Sequence, residues 1–185
     1  MPPKPFRPAA AKTPAKAQTC YDAVVGFLKD DDWPFEADDE NGTVATGYEG
    51  DNGKYELVIE AKNDMPMFAV HVDLPVEHPE EKEGDEPTGA FGELIEFVLK
   101  LNCGLAVGSF DLDLDDGSLR FRIGVLAGDT APSLSQVRDQ IYAAVTTGDR
   151  YFPLLREVAA GNLSAEAALD KLGADDEDED GAESN

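Results

Sequence analysis

A chain of 185 residues, 42% hydrophobic and 29% charged, suffices for one ordinary domain with tails and is too apolar to be a disordered polymer. Its 15 Lys and Arg against 39 Asp and Glu give a net charge of −24, which disfavours direct DNA or RNA binding by the core and favours basic protein partners. No apolar run approaches the ~20 residues that span a bilayer, and the two cysteines, Cys20 and Cys103, lack metal-ligand spacing, so a reducing cytoplasm is the expected setting.

Residues 1–17 hold five prolines, the cations Lys4, Arg7, Lys12 and Lys16, and no acid, a composition that predicts a disordered basic arm. A folded domain is expected over 18–173. Thr19 is placed to cap a first helix whose apolar stripe is Tyr21, Val24, Val25 and Leu28, ending near Asp32. Four short segments rich in aromatic and β-branched residues follow at Phe35–Ala37, Thr43–Tyr48, Tyr55–Ala61 and Met67–Leu74. Turn formers Asn41-Gly42, Asp51-Asn52-Gly53 and Asn63-Asp64 separate them, which reads as an antiparallel meander.

Pro75 to Pro87 is charged and aperiodic and reads as a loop. Beyond it, Phe91, Leu94, Ile95, Phe97, Val98, Leu99 and Leu101 fall on one helix and cover an arc of about 200°, twice what one sheet can bury. A second apolar neighbour is therefore expected, and a homodimer contact through Phe91, Leu94, Ile95, Val98 and Leu99 would supply it.

Phe110, Leu112 and Leu114 alternate with Asp111, Asp113 and Asp115, then Asp116-Gly117 intervenes, then Leu119, Phe121 and Ile123 alternate with Arg120 and Arg122. A two-residue Asp-Gly turn predicts a hairpin with Leu112 opposite Phe121, Asp113 opposite Arg120 and Asp111 opposite Arg122. Ser133 with Gln136 is a capping box for a helix carrying Leu134, Val137, Ile141 and Val145. Gly148 is expected to break it, a further helix running from Tyr151 through Val158 to Gly161 and a last one starting after Ser164 with Ala168 and Leu172 inward.

The stretch 174–185 carries seven carboxylates and no cation and predicts a disordered acidic tail. Setting aside the arm's +4 and the tail's −7 leaves −21 on the folded region. Strands and helices occur in blocks, so the class is α+β, an antiparallel β-sheet of meander plus hairpin packed against helices.

Catalytic and ligand motifs fail on spacing. Asp111, Asp113 and Asp115 resemble the start of a calcium loop, but Asp116 stands where glycine is needed and Arg122 where a bidentate glutamate is needed. Gly47 to Lys54 has five residues between its outer glycines and leads into a strand, so it is a turn rather than a phosphate loop. His71, Asp73, Glu77 and His78 lack convergent metal-ligand spacing, and there is no nucleophile elbow, His-Glu-x-x-His or Cys-x-x-Cys. The expected protein has no cofactor, no metal and no catalytic residues.

Leu101-Asn102 with Gly108 to Asp113, then Gly117 to Arg122, then Asp149 to Leu155 resemble the succession seen in the bacterial YbjN-domain family, over about residues 19–172. The resemblance implies a fold like that of the small, acidic, homodimeric chaperones of type III secretion, which hold a client segment against apolar patches. It further implies a non-catalytic adaptor, linked in some members to stress or DNA-damage responses. A basic or apolar protein client is the expected partner, a DNA-repair or single-stranded-DNA-binding protein among the candidates, with Asp175, Asp176, Glu177 and Asp178 steering its approach. Two alternatives belong to other classes: a nucleic-acid accessory protein whose arm touches DNA, and a small enzyme with an unrecognised carboxylate site.

Overall fold

Thr19 accepts a hydrogen bond from the backbone of Asp22, whose carboxylate reaches back to the Thr19 N–H, and this capping box opens α1 (Cys20–Asp30). In the computed structural model, which describes residues 19–61, 66–77, 89–128 and 130–182, the meander follows as β1 (Phe35–Asp38), β2 (Thr43–Glu49), β3 (Lys54–Glu60) and β4 (Met67–Leu74). Then come α2 (Gly89–Gly104), the hairpin β5 (Ser109–Leu112) and β6 (Leu119–Leu126), and the helices α3 (Leu134–Ala159) and α4 (Ala165–Ala182). The basic arm, the Asn63-Asp64 turn, His78 and most of the loop before α2 lie outside the described residues.

The strands form one antiparallel sheet in the order β1-β2-β3-β4-β6-β5, so β6 pairs with the last strand of the meander. Period-2 alternation sends one set of side chains to each face. Val44, Leu57, Ile59, Phe68, Val70, Val72, Phe121 and Ile123 all point to the helical side and are buried. The expected α+β fold is the fold found.

Three details of the sequence reading change. The hairpin pairs Phe110 with Phe121, Asp111 with Arg120 and Leu112 with Leu119, two residues away from the expected register. Asp116-Gly117 is the end of a longer loop, closed by Asp113 N–H to the Ser118 carbonyl and Gly117 N–H to the Asp113 carbonyl, both 2.9 Å, with Gly117 at φ 72°. Asp113 and Asp116 hold that loop by accepting from the backbone N–H groups of Asp115 and Ser118, bonds a two-residue turn has no room for. A shift of two keeps every side chain on its expected face; Leu114, however, stands in the loop, 62% exposed.

Gly148 does not break α3, which runs unbroken for 26 residues. A Cβ at Gly148 would stand 3.4 Å from Leu74 Cδ2 and 3.6 Å from Val72 Cγ1, so glycine here lets the helix lie close to the sheet. Lastly, α4 continues helical to Ala182, through residues 174–182 that the charge pattern assigns to an unfolded tail. Extending an existing helix fixes one residue per new hydrogen bond and avoids the cost of nucleation.

The wide apolar arc of α2 is covered within the chain. Phe91, Leu94, Phe97, Val98 and Leu101 are buried, with α3, α4 and β5 as neighbours, and the Glu93 carboxylate accepts from the first N–H of α4 at 2.7 Å. Of the five residues expected at a dimer contact, Phe91, Leu94 and Val98 belong to the domain's own core, Ile95 is half-buried and Leu99 is 61% exposed.

Candidate partner-binding face

The helices pack on one side of the sheet, and the opposite side carries none of them. Reading the registers across that open side gives two central rows. One runs Glu36, Ala45, Val58, His71, Arg122, Ser109; the other runs Gly47, Glu56, Asp73, Arg120, Asp111. Charge is divided along them. Over β4 to β5 the cations are balanced, with Arg122 Nε 2.6 Å from Asp111 Oδ2 and Arg120 between Asp73 and Asp111. Over β1 to β3, by contrast, neither Glu36 nor Glu56 has a cationic partner among the described residues, and Lys54 at the far end is bound to Glu49 at 3.0 Å.

Between Glu36 and Glu56 the small side chains of Ala45 and Gly47, with Val58 and Pro34, leave a groove of about 640 Å³. Its floor is neutral and its rims are acidic. His71 borders the neutral strip, with its Nδ1 buried and unpartnered. Burial, reinforced by Arg120 and Arg122 against the opposing pull of Glu60 and Asp111, lowers its pKa and favours the neutral ring.

The groove's two floor strands are joined by the turn from Gly50 to Gly53, and a buried carboxylate holds that turn. Asp149 on α3, 8% exposed, accepts from Asp51 N–H at 3.2 Å, Asn52 N–H at 2.9 Å, Asn52 Nδ2 at 3.1 Å and the Tyr55 hydroxyl at 2.6 Å. Burial alone would raise its pKa, but together the Tyr55, Asn52 and Asp51 donors outweigh burial and hold it below the ordinary carboxylate value. Burial and then Asp149 push the Tyr55 hydroxyl up. Pro153 contributes too. It has no N–H for the carbonyl of Asp149 four residues earlier, and Asn52 Nδ2 takes that carbonyl at 3.1 Å. A Cβ on Gly50 would run into the Asp149 carboxylate, so a larger residue there must push that carboxylate off its donors.

The segments that carry the family resemblance have structural work of this kind. Asn102 donates to the Phe110 carbonyl at 2.9 Å and accepts from its N–H at 2.8 Å, occupying the outer edge of β5. Gly108, at φ 80°, lies where a Cβ would be 2.5 Å from Phe121 Cζ. Phe110 packs on Phe121 and Tyr151 at centroid distances of 4.9 and 5.6 Å.

Among the described residues no cluster of three or more His, Cys, Asp or Glu could hold a metal ion, and no helix is long and apolar enough to cross a membrane. Cys20 is buried, Cys103 is exposed, and both are free. The backbone of 175–178 lies in α4, the helix that packs on α2 and α3. Sequence reading missed Glu36, Glu56 and Asp149, because it takes a three-strand register to bring the first two together and a helix distant in sequence to deliver the third.

A family model described as "Putative bacterial sensory transduction regulator" matches residues 21–157. No curated protein sequence matches the chain. In fold it resembles a chain in the crystal structure of the ExsC-ExsE complex, with a TM-score of 0.54 at 13% identity, covering 73% of this chain and 92% of the other. A weaker likeness, TM-score 0.45 at 15% identity over 73% of this chain and 91% of the other, is to the structure of the HopA1-SchA chaperone-effector complex.

Proposed function

We propose, on the premise that this chain belongs to the YbjN family, that it is a non-catalytic adaptor that holds a basic, extended segment of another protein on the open face of its sheet. The observation that carries this reading is the groove over β1 to β3, where Glu36 and Glu56 face each other across the neutral floor of Ala45, Gly47 and Val58. Cationic side chains of a client pair with the two rims while its backbone and apolar groups cover the floor. The ExsC-ExsE structure supports the reading, since a protein of this fold is found there in complex with a second protein. Strand addition is a poorer mode at the β5 edge, where Asn102 already holds the outward N–H and C=O of Phe110. Dimerisation belongs to the same proposal, through Leu99 and the half-buried Ile95 on α2, a patch remote from the groove.

A photocrosslinking residue at Val58, compared with one at Asp139 on the helical side, tests the groove inside the host cell. The expected result is a discrete protein adduct at Val58 only, lost when Glu36 and Glu56 are both changed to Lys. Equal adducts at both positions, or adducts indifferent to the two charge reversals, would sink the reading.

A further inference from the structure

We propose that the groove's resident occupant is the chain's own N-terminal arm, residues 1–17, docked in cis as a mimic of the basic client. The docking stands on the observations below; its competition with a client rests on the function proposed above.

Charge complementarity is the first observation. The arm carries +4 with no acid, and Glu36 and Glu56 are carboxylates without a cationic partner among the described residues, on a molecule whose net charge is −24. Its four cations make the arm the densest basic stretch in the sequence, and it is covalently attached.

The arm's point of departure is the second. Thr19 caps α1, and two residues on, the Tyr21 hydroxyl donates to the Asp39 carboxylate in the turn between β1 and β2. That contact fixes the root of the arm beside β1, which is an edge strand. The chain therefore has only one short strand to round in passing from the helical side to the open side. An 11-residue helix is about 16 Å long, so the Pro34 end of the groove lies within a few tens of ångströms of Thr19. Extended chain advances about 3.1 Å per residue, and the twelve residues from Arg7 to Thr19 reach about 37 Å.

Spacing is the third. Glu36 on β1 and Glu56 on β3 are two strands and two residues apart, about 12 Å between backbones at ordinary sheet dimensions. Lys4 and Arg7 are three residues apart in a proline-rich sequence, and an extended proline-type segment laid in the groove would present positions of that separation on one edge, about 9 Å apart. Their long side chains close the difference, leaving Pro5 and Phe6 to cover Ala45 and Val58.

A nitroxide on Ala10→Cys, in a chain whose exposed Cys103 is replaced by Ser, reads the docking through paramagnetic broadening of backbone amides. Ala45, Gly47 and Val58 should lose at least half their intensity, Phe110 at the far edge should lose much less, and Glu36→Gln with Glu56→Gln or about 500 mM salt should restore the signals. No preferential broadening, or broadening that the two Gln substitutions leave unchanged, would overturn the proposal. Mixing spin-labelled chain with isotope-labelled, unspin-labelled chain reports the arm of a second copy, and broadening of that kind would overturn docking in cis. Deleting residues 1–17 should raise the client adduct at Val58 severalfold. Arm-dependent broadening with no client adduct at Val58 even after the deletion would leave the docking standing and remove the client site.

Discussion

Asp149 is the residue on which the groove's geometry most depends, because three of its four donors come from the turn that joins the two floor strands and the fourth, the Tyr55 hydroxyl, from β3 just beyond it. Asp149→Asn keeps the shape and replaces one accepting oxygen by an N–H donor that must face other donors, so a loss of about 1–3 kcal/mol is expected in chemical denaturation at pH 7. The pH dependence has a definite sign. The folded pKa lies below the ordinary value, so the carboxylate contributes stability at pH values above the unfolded value of about 3.9, and that contribution is lost as pH falls through the folded value. Stability curves of the native and Asn proteins should therefore converge as pH is lowered from about 5 toward 2, and parallel curves would show that Asp149 is not the group responsible. Asn52 is tied to Pro153 in the same way. Asn52→Ala strands the Asp149 carbonyl, and Pro153→Ala returns an N–H to it, so the cost of Asn52→Ala should shrink when both changes are present. A double-mutant cycle measures the coupling, and strict additivity would mean that water replaces the Asn52 amide.

Among the elements, α2 separates two neighbouring residues with opposite expectations. Val98 is 4% exposed in the core, so Val98→Asp buries an unpaired charge and should abolish cooperative unfolding or cost several kcal/mol. Leu99→Asp should leave far-UV dichroism and melting intact and move the proposed dimer toward monomer by light scattering; an unchanged mass would place the dimer contact elsewhere. Periodicity made the elements legible, since the four strands of the meander and the starts of α1 and α3 fall where alternation, turn residues and capping put them, and the two hairpin strands fall where alternation alone does. What pattern reading could not weigh was competition between local devices. At 113–118 two aspartates bond to nearby backbone and lengthen a loop whose Asp-Gly pair is, by propensity, a complete turn. At Gly148 and Pro153 two helix breakers sit inside one helix, because close packing on Val72 and Leu74 and the Asn52 amide compensate them. The groove was less legible than the fold. Ala45, Gly47 and Glu56 carry no motif, and only the register across β1 to β3 makes them neighbours.

For the molecule as a whole, acidity acts at a distance while the groove acts at contact. With −24 overall, a basic client meets an attractive potential over a Debye length, about 8 Å at physiological salt. Raising salt from about 50 to about 500 mM should lower the client's association rate tenfold or more and change its dissociation far less, as surface plasmon resonance would show. Equal effects on both rates would assign the charge to holding rather than steering. The order of the strands carries a different consequence, in the time domain. Leu74, the last residue of β4, faces Leu119, the first of β6, and the whole of α2 and β5 lies between them in the chain. During synthesis the meander is complete well before its neighbour exists, and one flank of β4 waits with its N–H and C=O groups unpaired beside the apolar side chains of Phe68, Val70 and Val72. Closing that pairing means gathering a long intervening segment, the slow kind of folding step. A chain ending at Gly104 should accordingly aggregate under conditions in which the full chain refolds reversibly, which turbidity during dilution from denaturant would reveal. The nascent protein is thus itself briefly in need of a companion along β4 until β6 is made.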